Sequence, residues 1–231
     1  MKLRLVTALL LLASAAFAQN QNDAAGKRHG QWKGTYESKR TRYEGTFDHG
    51  KETGTFKFYN DDAKSTLAAT RVFNADGSCY TTFFDANGKK VNEGKEVNKE
   101  REGEWKMYFK GKDMVMQLEN YKAGKLEGLT KIFYDNGKVA EEISYKNGLR
   151  NGSYKKYMST GKLKEESTYK DNKLHGAATF YDDAGALAAK GQYTENVKSG
   201  KWLYYKNGKV EKTVDESNNK IQLQHTKRKS E

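Results

Sequence analysis

The sequence predicts an all-β protein, an elongated array of antiparallel β-hairpins in about eight repeats of 24 residues. Three observations predict this fold: a recurring motif, short aromatic segments that alternate with glycine-containing turns, and the absence of proline. YKNGLRNGSYKKY at 145–157 returns as YKDNKLHGAATFY at 169–181 and as YTENVKSGKWLYY at 193–205. Self-similarity at a fixed period is the sequence signature of a repeat protein.

Each repeat begins at an anchor, a glycine two positions before an aromatic or apolar residue and five before Tyr or Phe. Successive anchors are 24 or 25 residues apart, so the repeats fill residues 27–210. The anchors are Gly30, Gly54, Ser78, Gly103, Gly128, Gly152, Gly176 and Gly200. Ser78 departs from glycine, and the adjacent Gly77 predicts a local slip in that copy.

Each repeat is predicted to be one hairpin. The aromatic segment after the anchor is too short for a stable helix and is predicted to be a strand. A glycine-containing turn follows, as at 135–137, and a second segment leads to the next anchor; the alanine-rich stretches 67–69 and 187–189 fall in such second strands. Because a lone hairpin is marginally stable in water, the hairpins must stack side by side, giving about sixteen strands. Absence of proline suits a continuous hydrogen-bonded ladder.

Aromatic rings are expected on both faces of this sheet. Successive side chains of a strand point to opposite faces, so the plus-two and plus-five positions face apart unless a bulge intervenes. The plus-two positions include Trp105, Tyr154 and Trp202, and the plus-five positions include Tyr108 and Tyr157.

The two ends of the chain have different compositions. Residues 1–18 place Lys2 and Arg4 before an apolar run that ends in Ala-Phe-Ala, the layout of a cleaved secretory signal peptide. We therefore expect an exported protein, located in the periplasm, the cell envelope or outside the cell. Residues 19–26 are predicted to be a polar leader and 211–231 a disordered basic tail.

The formal net charge of +12 predicts association with anionic surfaces or polymers. Nucleic acid is not the expected partner, because 30 acidic residues dilute the basic ones and the chain is predicted to be exported. Cys79 is the single cysteine, which excludes an intramolecular disulfide, and it is predicted to be a buried structural thiol in a strand.

Residues 43–54, YEGTFDHGKETG, resemble the MORN repeat, with its Y-x-G-x-F/W, a turn and G-K-x-x-G. Later copies, such as YKNGLRNG at 145–152, resemble the variant MORN repeat of bacterial proteins, including YwqK-type toxin–antitoxin antitoxins. The resemblance covers residues 27–210. It implies an elongated hairpin array used for protein contacts, scaffolding or binding to membrane lipid. An antitoxin role fits an exported chain only if the toxin is exported too.

No catalytic constellation is recognisable, so we expect a protein that is not an enzyme and has no cofactor and no metal. The four histidines, His29, His49, His175 and His225, are scattered along the sequence and are predicted to be turn residues. Adjacent glutamates at 141–142 and 165–166 point to opposite faces of a strand and are expected to pair with lysines on neighbouring strands.

Two sets of residues are candidates for binding. Lys138, Lys162 and Lys209 each follow a turn glycine, and stacked repeats would align them along one rim, where they could attract an extended anion. The alternative is that they are solvated turn lysines that protect the sheet from aggregation. The aromatic residues Trp105, Tyr154 and Trp202 could be packing residues, a platform for sugar rings, or anchors for a protein partner.

Two functions remain open at this point. The first is a non-catalytic scaffold that binds another protein at the cell envelope. The second is a module that binds an anionic glycan or lipid surface through the lysine rim and the aromatic residues. The sequence leaves the oligomeric state undetermined.

Overall fold

The computed structural model describes residues 19–217, which form one antiparallel sheet of 18 strands without helices. The strands are β1 (Gln21–Asn22), β2 (Arg28–Thr35), β3 (Thr41–Asp48), β4 (Lys51–Tyr59), β5 (Leu67–Phe73), β6 (Cys79–Phe84), β7 (Lys90–Val97), β8 (Glu100–Tyr108), β9 (Val115–Lys122), β10 (Lys125–Leu126), β11 (Gly128–Phe133), β12 (Val139–Lys146), β13 (Leu149–Tyr157), β14 (Leu163–Lys170), β15 (Lys173–Tyr181), β16 (Leu187–Thr194), β17 (Val197–Lys206) and β18 (Lys209–Asp215). The predicted all-β hairpin array is confirmed.

Every strand pairs with the strand that follows it in the chain, so the sheet is an open meander. The short β10 is separated from β11 by Glu127 alone, and the two behave as one strand of the fifth repeat. The alanine-rich stretches lie in β5 and β16, as predicted. No helix within residues 19–217 is long and apolar enough to cross a membrane.

The repeats are joined by tight two-residue turns. In the turn between β12 and β13, Asn147 and Gly148 have φ values of 51° and 84°, the paired positive values of a type I′ turn, which matches the twist of the flanking strands. The N–H of Gly148 donates to the carbonyl of Leu126, 2.8 Å away, in the preceding repeat. The corresponding turn at Asn172 bonds to Arg150 in the same way, so each turn fastens its repeat to the one before.

The anchor glycine forms a bulge in the first strand of the hairpin. Tyr145 lies opposite Arg150 and Ile143 lies opposite Tyr154, so one residue of β12 opposes three of β13. Gly152 lies in this bulge with φ of 105°, a conformation that glycine adopts readily. The anchor is therefore glycine because the bulge requires a positive φ.

One face of the sheet, here the ring face, carries the large buried side chains in a central row across the strands. Trp105 and Trp202 are almost fully buried there. Each ring covers a glycine of the neighbouring strand: a Cβ at Gly94 would lie 2.4 Å from the ring of Trp105, and one at Gly191 would lie 2.3 Å from that of Trp202. Close packing of rings over glycines gives a single-layer sheet its core.

The opposite face, here the charged face, carries a cross-strand ladder of alternating charge. Glu142 lies opposite both Lys131 and Lys155, and Lys155 pairs in turn with Glu166 at 3.4 Å. Tyr157 also points to this face and donates to Glu142 Oε2 at 3.0 Å. The predicted Glu–Lys pairs and the rings on both faces are thus present.

The predicted boundaries of the repeat domain need correction at both ends. Residues 211–215, assigned to a disordered tail, continue β18, whose register places Val214 opposite Trp202. In the polar leader 19–26, β1 pairs with β2. Both segments have few apolar residues, but each completes a hydrogen-bonded ladder on an edge of the sheet. The predicted signal peptide and residues 218–231 lie outside the described residues.

Candidate functional site

The third repeat breaks the rule that the other repeats follow. A longer turn, Asn74–Gly77, connects β5 to β6, with the N–H of Ser78 accepted by Asp76 Oδ1 at 2.9 Å. Among pairings between consecutive repeats within residues 19–217, that of β5 with β6 is the one without a register shift. The slip predicted from Gly77 and Ser78 is confirmed: a longer turn replaces the short turn and the glycine bulge.

Loss of the bulge reverses the side-chain alternation of β6. Tyr80, the plus-two residue of this repeat, consequently points to the charged face, whereas Tyr154 in the same repeat position points to the ring face. Tyr80 is 40% exposed, and Val72 directly opposite it on β5 is 43% exposed. Val91 on β7 points to the same face and is also exposed.

We call Val72, Tyr80 and Val91 the third-repeat patch. Phe83 of the same repeat is exposed on the ring face. Together these four residues are half of the eight exposed large hydrophobic side chains identified within residues 19–217. Exposed apolar residues scattered singly are normal on a protein surface, but their concentration in one repeat marks a candidate interaction surface.

On the ring face, a charged cluster occupies the space that the rotated ring leaves. Arg71 lies opposite both Phe56 and Thr81 in the central row. Its guanidinium donates to Thr81 Oγ1 at 3.3 Å and to the carboxylate of Glu96. The side chains of Arg71 and Glu96 are only 24% and 13% exposed, so each charge depends on the other for compensation.

Cys79 belongs to the same cluster and is buried, as predicted. Its Sγ lies 3.7 Å from Thr81 Oγ1 and 3.6 Å from Glu96 Oε2. Burial raises the pKa of the thiol above its ordinary value. A raised pKa disfavours the thiolate and with it nucleophilic reactivity, in keeping with a structural role.

The aromatic residues proposed as a binding platform are core residues. Trp105, Tyr154 and Trp202 retain 0%, 7% and 1% of their surface. Trp105 is enclosed by Gly94 beneath the ring and by the guanidinium of Arg101, whose Cζ lies 4.2 Å from the ring centroid. Buried rings cannot stack on sugars, so the alternative of packing residues applies to all three. The exposed aromatic side chain is Tyr80, which the sequence reasoning did not single out.

The lysine rim serves to join successive turns. Lys138 Nζ donates to the carbonyl of Thr160 at 2.7 Å, and Lys162 Nζ donates to that of Ala184 at 2.9 Å. The alkyl chain of Lys162 packs 3.4 Å from the Cβ position of Gly185 in the next turn. Lys209 lies in the exposed last hairpin, opposite Lys206. The turns align as predicted, but the hydrogen bonds of Lys138 and Lys162 favour a structural role.

Two of the histidines that are scattered in the sequence are neighbours in the structure. The rings of His29 and His49 lie with centroids 4.7 Å apart beside Asp48. The sequence reasoning missed this cluster because its members are 19 to 20 residues apart. The signal available in the sequence was the hairpin register itself, which places His29 opposite the end of the next strand.

Comparison with known proteins supports the repeat assignment. Two adjacent repeats, residues 126–147 and 150–171, match the family described as MORN repeat variant. No curated protein matches the sequence. One solved structure, "Crystal structure of GtfA/B complex bound to UDP and GlcNAc", is similar over 55% of this chain, with 9% sequence identity and a TM-score of 0.24. The chain spans 25% of that protein's length, and a TM-score this low carries no argument.

Proposed function

We propose that this protein is a non-catalytic, exported repeat protein whose extended sheet binds another protein at the cell envelope. The third-repeat patch is the observation that carries the proposal. Elsewhere in the repeats the corresponding side chains are buried, as for Trp105 and Trp202, whereas Tyr80 and Val72 face solvent side by side. Tyrosine surrounded by aliphatic side chains is a frequent anchor of protein interfaces.

The surroundings of the patch define the partner's chemistry. Lys95 lies opposite Tyr80 on β7, and its Nζ is 3.8 Å from Asp76 Oδ2. Beyond it, Glu93 is enclosed by Thr82, Lys90 and Tyr108. The charges around the apolar residues are therefore compensated internally. A partner with an apolar contact area and an uncharged centre fits this surface, because it leaves those pairs intact.

A narrower form of the same proposal is an antitoxin-like role, in which the bound protein is an exported toxin. The resemblance to the variant MORN repeats of bacterial antitoxins supports it. The alternative class of function, binding of an anionic glycan or lipid surface, uses Lys138, Lys162 and Lys209. These lysines remain exposed at the rim, although two of them already donate to neighbouring turns.

The test is affinity capture from the envelope fraction of the source cells, with the purified protein as bait and mass spectrometry as the readout. We expect a partner that the double variant Val72→Ser, Tyr80→Ser loses. The matched control is Leu129→Ser, Leu149→Ser, which removes two hydrophobic side chains, each 39% exposed, from outside the third repeat. This control is expected to retain the partner. Retention by the first variant and loss by the second would contradict the proposed patch.

Salt distinguishes the two classes of function. A mainly apolar protein interface persists as the ionic strength rises, whereas binding of anionic polymers or vesicles is screened. The triple charge reversal Lys138→Glu, Lys162→Glu, Lys209→Glu is expected to leave the captured partner unchanged. Loss of the partner in high salt and in this variant, with retention in the Val72 and Tyr80 variant, would favour the anionic-surface function instead.

A further inference from the structure

We infer that His29, His49 and Asp48 form a binding site for a divalent transition-metal ion of the zinc class at the N-terminal edge of the sheet. The hairpin brings these residues together. His29 lies on β2, directly before the anchor Gly30, whose partner on β3 is Phe47. Asp48 ends β3, and His49 is the first residue of the type I′ turn that follows, with φ of 45°.

The distances among these side chains approach those of a metal site. Asp48 Oδ1 lies 3.5 Å from His29 Nδ1 and 3.7 Å from His49 Nε2. One candidate ligand atom from each residue lies within 4.8 Å of the other two. Tetrahedral ligands at the usual Zn–N and Zn–O lengths are about 3.3 Å apart. Small rotations about the χ angles would close the remaining gap, because all three side chains are at least half exposed and free to move.

Asp23 holds His49 in the orientation that such a site requires. Its Oδ2 lies 2.5 Å from His49 Nδ1, while its Oδ1 accepts the backbone N–H groups of Ala25 and Lys27, each at 2.9 Å. The Asp23 side chain is only 10% exposed. A carboxylate that accepts the Nδ1–H leaves Nε2 as the unprotonated nitrogen, directed toward Asp48. This carboxylate–histidine arrangement is the usual support of a metal-binding imidazole.

The donor set selects the class of ion. Two imidazoles and one carboxylate suit Zn²⁺, Cu²⁺ or Ni²⁺, whereas Ca²⁺ and Mg²⁺ prefer oxygen ligands alone. Lys27, which packs 3.5 Å from the Cβ position of Gly50, and Lys51 opposite Asp48 add positive charge nearby. Hard cations held mainly by electrostatic attraction are disfavoured in such surroundings. Ions that form strong bonds to imidazole are favoured, and a fourth position remains open to solvent.

The experiment is a titration of the purified, tag-free protein with Zn²⁺ in competition with a chromogenic chelator. We expect one ion per chain and a rise in the thermal midpoint, because an ion that binds the folded state stabilises it. His29→Ala and His49→Ala are each expected to weaken the affinity more than tenfold. Asp23→Asn is expected to weaken it about 10- to 100-fold, as other losses of second-shell carboxylates do.

Two variants serve as controls. His175→Ala removes a histidine that lies 3.8 Å from a glutamate oxygen in a different turn, and His225→Ala removes the one beyond the described residues. Both are expected to bind Zn²⁺ as the wild type does. With Co²⁺ as the probe, the wild type is expected to show the visible absorption of a tetrahedral ion, and His49→Ala to lose it. Unchanged affinity in His29→Ala and His49→Ala, or no ion retained by the wild type at micromolar Zn²⁺, overturns the inference.

Discussion

Tyr80 on β6 lies directly opposite Val72 on β5, and the two side chains remain 40% and 43% exposed on the charged face. In the same repeat position, Phe56 is 1% exposed on the ring face. One aromatic position of the repeat thus has two environments, and the difference comes from the missing bulge at Ser78.

Substitutions at these two positions are expected to differ sharply in their effect on stability. Phe56→Ala removes a buried ring and leaves a cavity, so it should lower the free energy of unfolding by about 3–5 kcal/mol. Tyr80→Thr keeps a residue that favours strands and removes no core contact, so its effect should stay within about 0.5 kcal/mol. Urea denaturation followed by circular dichroism measures both. Equal losses would mean that Tyr80 is packed and that the third-repeat patch is not a free surface.

The contact of Gly191 with Trp202 can be tested by a double-mutant cycle. A Cβ at residue 191 would overlap the buried indole ring, so Gly191→Ala should destabilise the protein by about 1–3 kcal/mol. In a background of Trp202→Leu, where the ring is absent, the same substitution should cost much less. Additive losses in the double variant would show that the ring does not pack on this glycine.

The anchor glycines are expected to tolerate asparagine better than β-branched residues. Gly200 has φ of 66° and nothing within 4 Å of a Cβ, so the backbone conformation alone determines the outcome. Gly200→Val should cost about 1–2 kcal/mol or more, whereas Gly200→Asn should cost less, because asparagine visits this conformation. Thermal denaturation of the two variants compares them directly. An equal effect would show that positive φ is not what selects glycine here.

Much of this fold could be predicted from the sequence, because the period, the strand alternation and the turn glycines are all local signals. The paired lysines and glutamates follow from the same alternation. Burial of Trp105 and Trp202 could not be predicted, because it depends on glycines of adjacent strands that leave room for each ring. The cluster of His29 and His49 also depends on exact register, and on a leader whose two-residue strand carries no hydrophobic signal.

Acid is expected to destabilise the charged face through Glu93. Burial alone would raise the pKa of this carboxyl, but hydrogen bonds from Tyr108 and Lys90 outweigh it and lower the pKa below the ordinary value of 4.5. A folded-state pKa below the unfolded one gives stability that is present above pH 4.5 and is lost as the pH falls through the folded value.

Glu93→Gln removes this titration while keeping an acceptor for the hydroxyl of Tyr108. We expect the variant to be less stable than the wild type at neutral pH and to lose less stability on acidification. Urea denaturation at neutral pH and in acid measures both. Glu104→Gln is the matched control, because Glu104 is exposed and its oxygen lies 3.8 Å from Lys106. A steeper acid loss in the Glu93 variant than in the wild type would contradict the sign of the shift.

Strands that pair with their immediate chain neighbours have a mechanical consequence. A force applied to the two termini would open the ribbon one hairpin at a time, since successive hairpins load the hydrogen bonds in series and few bonds break together. Gain or loss of one whole repeat would change the span of the molecule by a fixed increment and leave the remaining units folded. Such a protein can vary its reach between distant attachment points without a new core.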